Sequence, residues 1–211
     1  MKIVIFGANG KTGSLLLEQA LELGHQVTAY VRKPNSIKLT HPNLKVLVGN
    51  LNETLRLRDA INGSDACISA LGGSSLTNRS PEIVKGIEKI LEIMEDVDTK
   101  RFIYLSSIGA GESRFLMAQP IRFLIVNLLL RVPLADHNEN EQHISATNLN
   151  WTIVRPGGLT DNAKTDNLKQ HGTEKVMMTG NRSISRANVA AFMLDQLTNN
   201  TYSKKAVWLY E

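Results

Sequence analysis

The stretch "KIVIFGANGKTGSLLLEQALELG", residues 2–24, decides how the rest of the chain is interpreted. Its first five residues are mostly apolar, which predicts a buried strand. Gly7, Gly10 and Gly13 follow with the spacing G-x-x-G-x-x-G, and a leucine-rich segment then shows helical periodicity up to Gly24. The residues expected on the buried face of this helix are Leu15, Leu16, Ala20 and Leu23. A strand, a glycine-rich turn and a helix in this order predict a helix N-terminus that binds phosphate.

Each glycine of the turn has its own expected role. Gly7 permits a tight bend, Gly10 lets backbone N–H groups approach a pyrophosphate, and Gly13 lets helix and strand pack closely. The letters "GKT" also occur in the phosphate loop of nucleoside triphosphatases, but that loop needs a glycine where Ile5 stands, in mid-strand. The turn therefore predicts a dinucleotide site, with a purely structural glycine-rich turn as the alternative.

Short β-branched runs alternate with helical patterns along the rest of the chain. The further predicted strands are "HQVTAYVR", "LKVLVGN", "DACISALG", "RFIYLSS", "WTIVRPG" and "KAVWLY". The further predicted helices are "ETLRLRDAING", "PEIVKGIEKILEIMEDV" and "RANVAAFMLDQLT". Nearly continuous apolar strands between helices predict an α/β fold of the Rossmann type, a doubly wound, mostly parallel sheet with helices on both faces. We expect one domain, residues 1–211, with substrate-side insertions near 108–136 and 157–183, since both follow the carboxyl end of a strand.

Composition and charge exclude several classes of function. The chain has 211 residues, a formal net charge of +4 and no run of Lys or Arg, so nucleic-acid binding is not expected. Its single cysteine, Cys67, cannot form an internal disulfide, which favours a reducing cytoplasm. Cys67 itself is expected to be a small buried strand residue rather than a catalytic thiol.

The most hydrophobic segment, residues 115–135, is not expected to span a membrane. It is interrupted by Arg122, Asn127, Arg131, Pro120 and Pro133. Charges at mid-bilayer are costly, so a buried helix or a lid over a pocket is expected instead. Residues 115–134 are also a candidate surface for an oligomer or a protein partner. The N-terminal apolar run is short and broken by Gly7, so no signal peptide is expected.

The residues after the second predicted strand indicate which dinucleotide binds. In NAD-binding versions of the fold, an acidic residue there binds the ribose 2′-hydroxyl. This strand instead ends "AYVRKP", with Arg32 and Lys33 and no Asp or Glu nearby. Because a guanidinium pairs with a 2′-phosphate through charge-assisted hydrogen bonds, NADP(H) is favoured over NAD(H). The alternative is that Arg32 is simply a solvated cation at a strand end.

With these motifs, nearly the whole chain resembles the atypical short-chain dehydrogenases/reductases. It is most similar to their NmrA-like NAD(P)H-binding group, which includes the biliverdin-IXβ/flavin reductases. The matching segments are "GANGKTG", "VTAYVRKP", "VLVGNLNE", "ISALGG", "YLSSIGA", "WTIVRPGGL" and "ISRANVAAFMLDQL". "GANGKTG" and "TIVRPGGL" are specific in combination. The family usually has Asp where this chain has Asn50, which keeps a hydrogen-bonding side chain but loses the charge.

The resemblance implies roles for residues at the ends of several strands. The pyrophosphate would be surrounded by Gly7, Asn9, Gly10, Lys11, Thr12 and Gly13. Arg32 would hold the 2′-phosphate, and Asn50 and Leu51 would flank the adenine. The path to the nicotinamide would be lined by Ala70, Leu71 and Gly72. The reaction centre would be bordered by Ser106, Ser107, Pro156, Gly157 and Gly158.

The Tyr-x-x-x-Lys pair of typical superfamily members is absent from the sequence. The residues four positions after Tyr30, Tyr104 and Tyr202 are Pro34, Ile108 and Ala206, and Tyr210 is the penultimate residue. Hydride addition to an isolated ketone builds a strongly basic alkoxide, so a placed acid matters there. Addition to a flavin, a quinone or another conjugated system gives a delocalised and less basic anion. Such planar acceptors are therefore favoured, with catalysis coming mainly from holding nicotinamide and acceptor face to face.

Two side chains are candidates for a catalytic role. Ser107 could orient the acceptor or a water, or it could simply bond to the backbone at its strand end. His137 could donate a proton near neutral pH, although a surface histidine at a helix start is the more ordinary interpretation. Residues 136–142, "DHNENEQ", are interpreted as a mostly solvated helix face or N-cap, with Asp136 as the cap. No metal is expected, because His137 and His143 are six positions apart and do not share a helical face.

Three functions fit the sequence to different degrees. The first is an NADPH-dependent reductase of flavin-like, quinone-like or other conjugated acceptors. The second is a non-catalytic regulatory protein that senses the NADP(H) redox state and binds a protein partner. The third is an isomerase or epimerase with a retained cofactor, which the missing Tyr/Lys pair disfavours. The first two share the cofactor turn and differ in the space above the nicotinamide.

Overall fold

The strands of the computed structural model have the order of a doubly wound sheet. The structure describes residues 1–73, 75–116, 130–166, 168–171 and 183–211. The strands in these ranges are β1 Lys2–Phe6, β2 Gln26–Val31, β3 Leu44–Val48, β4 Ala66–Ser69, β5 Arg101–Leu105, β6 Asn150–Pro156, β7 Gly158–Thr160, β8 Lys169–His171, β9 Ser183–Ser185 and β10 Lys205–Tyr210. The order β3-β2-β1-β4-β5-β6-β10 is parallel throughout, β8 joins β10 antiparallel at one edge, and β7 pairs separately with β9.

Helices cover both faces of this sheet, which confirms the predicted Rossmann-type α/β class. They are α1 Lys11–Glu22, α2 Thr54–Ile61, α3 Pro81–Asp96, α4 Arg131–Ala146 and α5 Arg186–Asp195, with a short 3-10 helix at Gly111–Leu116. One hydrophobic core joins the sheet to α1 and α5, and a second joins its other face to α2, α3 and α4. The strand order reverses between β1 and β4, and ligands of such sheets bind at the carboxyl side of that reversal.

The buried face of α1 differs from the face that the sequence predicts. The residues buried on it include Leu16, Leu17, Ala20 and Leu21. Leu15 is only partly buried, and Leu23, 65% exposed, lies at the C-cap beyond the last full turn. The apolar spacing predicts the helix correctly but assigns the wrong residues to its buried face. Five leucines in nine residues are compatible with more than one apolar helical face.

Helix α4 is the crossover between β5 and β6, and the sequence patterns do not predict it as a separate element. Its buried residues include Asp136, Asn140 and Glu141 beside Leu134 and Ile144. The interpretation of residues 136–142 as a mostly solvated face is therefore wrong. Apolar periodicity cannot reveal a helix face whose buried groups are polar and paired.

Parts of the two expected insertions fall on residues 117–129 and 172–182, outside the described residues. The same holds for most of the surface 115–134 that was considered for an oligomer or a partner. Within the described residues, no helix combines the length and the apolar character that a membrane span requires.

The turn after β1 is held by a very close approach of helix α1. Gly7 has a φ of +79°, a conformation that favours glycine, and its carbonyl oxygen accepts from Gly10 N at 3.0 Å. A Cβ placed on Gly13 would lie only 2.0 Å from that same Gly7 oxygen. A Cβ on Gly7 would lie 2.8 Å from the carbonyl carbon and oxygen of Ala70. The glycines at both positions are thus required by packing, as the sequence predicts.

We expect Gly13→Ala to lower the free energy of unfolding by about 1–3 kcal/mol or more, because the new methyl group overlaps backbone that cannot move away cheaply. Gly72→Ala is the matched control, since a Cβ there meets nothing within 4 Å. Urea denaturation followed by circular dichroism measures both. Equal midpoints for Gly13→Ala and the unmodified protein would contradict the packing role.

Candidate functional site

The residues predicted to bind a cofactor lie together at the carboxyl edge of the sheet. Ala70 N donates to Phe6 O at 2.9 Å, which joins the ends of β4 and β1. Ser106 N donates to Val154 O at 2.7 Å, which continues the ladder just beyond the end of β5. The ends of β2 and β3 lead at the same edge to Arg32, Asn50 and Leu51. Topology therefore gathers segments that are far apart in the sequence.

Helix α1 begins at this edge without a side-chain cap. Gly10 is its N-cap residue, and its first turn holds no acidic side chain but begins with the exposed Lys11. A Cβ on Gly10 would meet only the Gly7 carbonyl oxygen, at 3.3 Å. Uncapped N–H groups at a helix N-terminus carry partial positive charge, so this end of the helix fits a diphosphate.

An exposed acidic residue, Asp161, connects this turn to the start of α5. Its carboxylate lies 3.6 Å from Lys11 Nζ and also accepts a hydrogen bond from Arg186. Asp161 and Lys11 are mostly solvent-exposed, so this chain of charges adds little to stability. It does place a second cation, Arg186, beside the predicted phosphate turn. Sequence reasoning missed Arg186 because nothing local links it to residues so far away in the chain.

Arg32 directly follows β2 and is exposed. Among the described residues it has no hydrogen bond or ion pair, so no carboxylate competes for its guanidinium. Lys33, also exposed, is next in the chain. The arrangement fits a phosphate group at the end of β2.

Asn50 is held by Glu53, a residue that the sequence analysis did not single out. The backbone N and the side-chain Nδ2 of Asn50 both donate to Glu53 Oε1, at 2.9 and 2.7 Å. These bonds lower the pKa of Glu53, which keeps its carboxylate charged. The negative charge that Asn50 lacks is thus present three residues later. Leu51 packs against helix α3, where a Cβ on Gly86 would lie 2.6 Å from its side chain.

The ends of β5 and β6 are joined by a buried ionic network. Arg155 on β6 donates from Nε and Nη2 to the two carboxylate oxygens of Glu141 on α4, at 3.0 and 2.7 Å. Ser106 Oγ donates to the same Glu141 at 2.6 Å. All three residues are buried. The Ser106 hydroxyl is therefore bonded within the protein interior, so only its backbone would be available to the predicted reaction centre.

The same arginine also binds Glu112 of the 3-10 helix. Arg155 Nη1 lies 2.7 Å from Glu112 Oε1, and this hydrogen bond lowers the pKa of Glu112. Gly111, at φ +55°, brings backbone against the guanidinium, since a Cβ there would lie 2.3 Å from Arg155 Nη2. The motif "TIVRPGGL" was recognised by its pattern, but the sequence does not show which carboxylates its arginine would meet.

Of Ser106 and Ser107, Ser107 has the hydroxyl with the weaker contact. It is partly buried, and its Oγ donates to the neighbouring Ile108 carbonyl at 3.2 Å. Ile108 N in turn donates to Pro156 O at 3.0 Å, which holds the two strand-end segments side by side. This matches the ordinary interpretation of a strand-end serine, and it leaves an orienting role for Ser107 as a prediction.

His137 is partly buried, lies well within helix α4 rather than at its start, and contacts a fully buried tyrosine. Its Nδ1 lies 2.9 Å from the hydroxyl of Tyr104, which also accepts from Asn140 Nδ2 at 2.8 Å. Burial lowers the pKa of His137 and raises that of Tyr104, so both are neutral near pH 7. The interpretation of His137 as an ordinary surface histidine is wrong, because α4 lies against the sheet.

Asp136 was expected to cap its own helix, but it does not. It lies within α4 and accepts from Ser80 N at 2.8 Å, at the N-terminus of α3. Its other oxygen lies 2.6 Å from Arg79 Nε, and Arg79 also binds Glu139. Asp136 thus ties the loop that begins with Ala70 to helix α4. Within the residues described, no group of three His, Cys, Asp or Glu side chains could hold a metal ion.

This sheet, its glycine turn and its uncapped helix define a dinucleotide-binding α/β protein. Residues 7–200 match the family described as NAD(P)H-binding, and the chain belongs to that family. An oxidoreductase of Dothistroma septosporum is 26% identical over 191 residues, which cover 83% of this chain and 72% of that protein. The expected class, an NAD(P)-binding oxidoreductase, is confirmed.

Several solved structures are similar over the whole chain, and two of them show the range of identity. ChuY, an anaerobillin reductase from Escherichia coli O157:H7, has a TM-score of 0.82 and 22% identity, covering 100% of this chain and 97% of that one. A short-chain dehydrogenase/reductase from Veillonella parvula, solved in complex with NADP, has a TM-score of 0.81 and 17% identity, covering 100% and 94%. At these identities the structures establish the fold alone, and the match to the NAD(P)H-binding family is what confirms the resemblance to that group of atypical short-chain dehydrogenases/reductases.

We expect Glu141→Gln to lower the free energy of unfolding by roughly 3–5 kcal/mol, because it leaves the buried Arg155 without its buried counter-ion. Glu112→Gln removes the other carboxylate from the same arginine, but the Glu112 side chain is 67% exposed, so about 1 kcal/mol or less is expected. Thermal unfolding of both variants measures the difference. Equal losses would contradict the role assigned to the buried pair.

Proposed function

We propose that the protein is an NADPH-dependent reductase that acts on planar conjugated acceptors of the flavin or quinone type. The observation that carries the proposal is the state of Tyr104, the tyrosine beside the candidate site. It is fully buried and bonded to His137 and Asn140, so it cannot reach an acceptor as a proton donor. The site therefore suits acceptors whose reduced form needs no placed acid.

The residues at the carboxyl edge of the sheet support binding of NADPH with its adenosine near the ends of β2 and β3 and its nicotinamide near the ends of β4 and β6. The N-terminus of α1 and Lys11 would hold the diphosphate, and Arg32 would hold the 2′-phosphate. The segments 70–72 and 156–158 would border the nicotinamide, which supplies a hydride when the cofactor is bound. The chain's own contribution is to hold the two ring systems in contact and to exclude water, which replaces much of the entropy cost of their encounter.

The proposed setting follows from the same residues. Cys67 is buried in β4, and burial raises its pKa to about 12, so it is an inert thiol rather than a reactive one. A protein with this one cysteine suits a reducing compartment, and we place it in the cytoplasm.

Arg32→Ala tests the choice of cofactor. We expect the affinity for NADPH to fall on the order of 10- to 100-fold, the equivalent of about 1.5–3 kcal/mol for a lost charged hydrogen bond. NADH has no 2′-phosphate, so its affinity should change little. Arg58→Ala removes the same charge from α2, where Arg58 pairs with Asp96, and should affect neither cofactor. Isothermal titration of the three proteins gives the numbers, and equal losses for both cofactors in Arg32→Ala would reject the assignment.

Turnover itself is tested by mixing the protein with NADPH and one acceptor at a time, from FMN, a benzoquinone and a simple aliphatic ketone. Loss of absorbance of the reduced nicotinamide should be fast with the first two and slow with the ketone. Preferential reduction of the ketone would show that an acid had been overlooked. Tight NADPH binding with no turnover of any acceptor would reject the reductase function and favour the alternative, a redox-sensing regulatory protein.

A further inference from the structure

A buried phenol lies between an amide and an imidazole on the side of the sheet that faces α4. Asn140 Nδ2 donates to the hydroxyl oxygen of Tyr104 at 2.8 Å, and that hydroxyl lies 2.9 Å from His137 Nδ1. Tyr104 is 0% exposed and Asn140 is 1% exposed. The phenol keeps its proton, because burial raises its pKa. Its O–H hydrogen needs an acceptor, and His137 Nδ1 is the one that its contacts provide.

This direction of donation fixes the form of the imidazole. If Tyr104 donates to Nδ1, then Nδ1 carries no proton and the neutral ring is protonated at Nε2. Exchanging the oxygen and nitrogen of the Asn140 amide would reverse the direction of these hydrogen bonds, but it would leave the amide NH2 buried without an acceptor. In the arrangement observed, the unpartnered atom is Asn140 Oδ1. A buried carbonyl oxygen without a partner is tolerated better than buried N–H groups without one.

The two carboxylates near His137 raise its pKa, but they do not outweigh its burial. Asp136 and Glu141, its acidic neighbours on α4, are each paired with an arginine from another segment, Arg79 and Arg155. Burial lowers the pKa of His137 in spite of these two carboxylates. The ring is therefore a neutral hydrogen-bond donor near pH 7 rather than a source of protons.

The position of the ring connects it to the candidate site. Tyr104 is paired in register with Ser69, the last residue of β4, directly before the predicted nicotinamide-lining residues Ala70 and Leu71. Asp136, adjacent to His137 in the chain, holds the backbone at the far end of the same loop. The Nδ1 edge of the imidazole faces the protein interior, so the Nε2 edge points away from Tyr104.

We propose that Tyr104 and Asn140 are positioning residues that hold His137 as the Nε2–H tautomer, so that His137 donates a hydrogen bond to a carbonyl oxygen of the conjugated acceptor. This inference rests on the reductase function proposed above. A fixed donor stabilises the negative charge that develops on that oxygen during reduction, and it requires no proton transfer from the protein. The absent Tyr/Lys pair is then replaced by a donor that supports only acceptors with low basicity in the reduced form.

The tautomer is measured without any enzymatic assay. In a two-bond ¹H–¹⁵N spectrum at pH 7.5, we expect the His137 signals, assigned by their loss in His137→Gln, to show Nδ1 unprotonated and Nε2 protonated. Tyr104→Phe removes the donor and should convert this into a mixture of tautomers. Tyr30→Phe, which removes the hydroxyl of another buried tyrosine bonded to the backbone of Asn50, should leave the His137 signals unchanged. A protonated Nδ1 in the unmodified protein would overturn the proposal, even if Tyr104→Phe failed to fold.

The donor role is tested with a benzoquinone as acceptor. His137→Leu removes the donor and should lower kcat about 100-fold, the usual loss for one such donor, while KM for NADPH is preserved. His137→Gln keeps an N–H donor of similar reach and should retain most of kcat. Equal kcat for His137→Leu and the unmodified protein would overturn the donor role. Absence of any turnover would refute the reductase function and the donor role together, and the spectrum would still decide the tautomer.

Discussion

The close approach of helix α1 to the carbonyl of Gly7 determines where everything else at the site can be. Because position 13 has no side chain, the helix starts directly behind the turn, and its uncapped end reaches the carboxyl edge of the sheet. The same turn packs against the backbone at Ala70, so the end of β4 is fixed relative to it. A packing constraint between three backbone segments thus positions both the helix end that is predicted to bind phosphate and the predicted path to the nicotinamide.

The other half of the site is organised by polar groups inside the protein. Helix α4 is fixed by Asp136, which binds the loop after β4, and by Glu141, which binds the ends of β5 and β6. Each buried carboxylate has an arginine and further donors, so its desolvation is offset by paired hydrogen bonds. Between these two anchors lies His137. The helix is therefore positioned by directional bonds, which specify orientation more narrowly than apolar packing does.

Much of the fold was predictable, because parallel strands and amphipathic helices leave strong periodic patterns. The glycine turn, the mostly parallel sheet and the convergence at the carboxyl edge follow from such patterns. Helix α4 was not predictable in this way, because its buried side is polar and its partners, among them Arg79 and Arg155, come from other segments. The contact of His137 with the buried Tyr104 was missed for the same reason. Pairing between distant residues depends on tertiary geometry, which a single sequence does not display.

The buried ion pair between Arg155 and Glu141 also restricts which substitutions this sequence can accept during evolution. Losing Arg155 alone strands a buried anion, and losing Glu141 alone strands a buried cation, so a single replacement at either position passes through a weakened protein. Simultaneous exchange for apolar residues of similar volume avoids that intermediate. These positions are therefore expected to covary among descendants of the chain, whereas exposed Glu112 is free to change by itself.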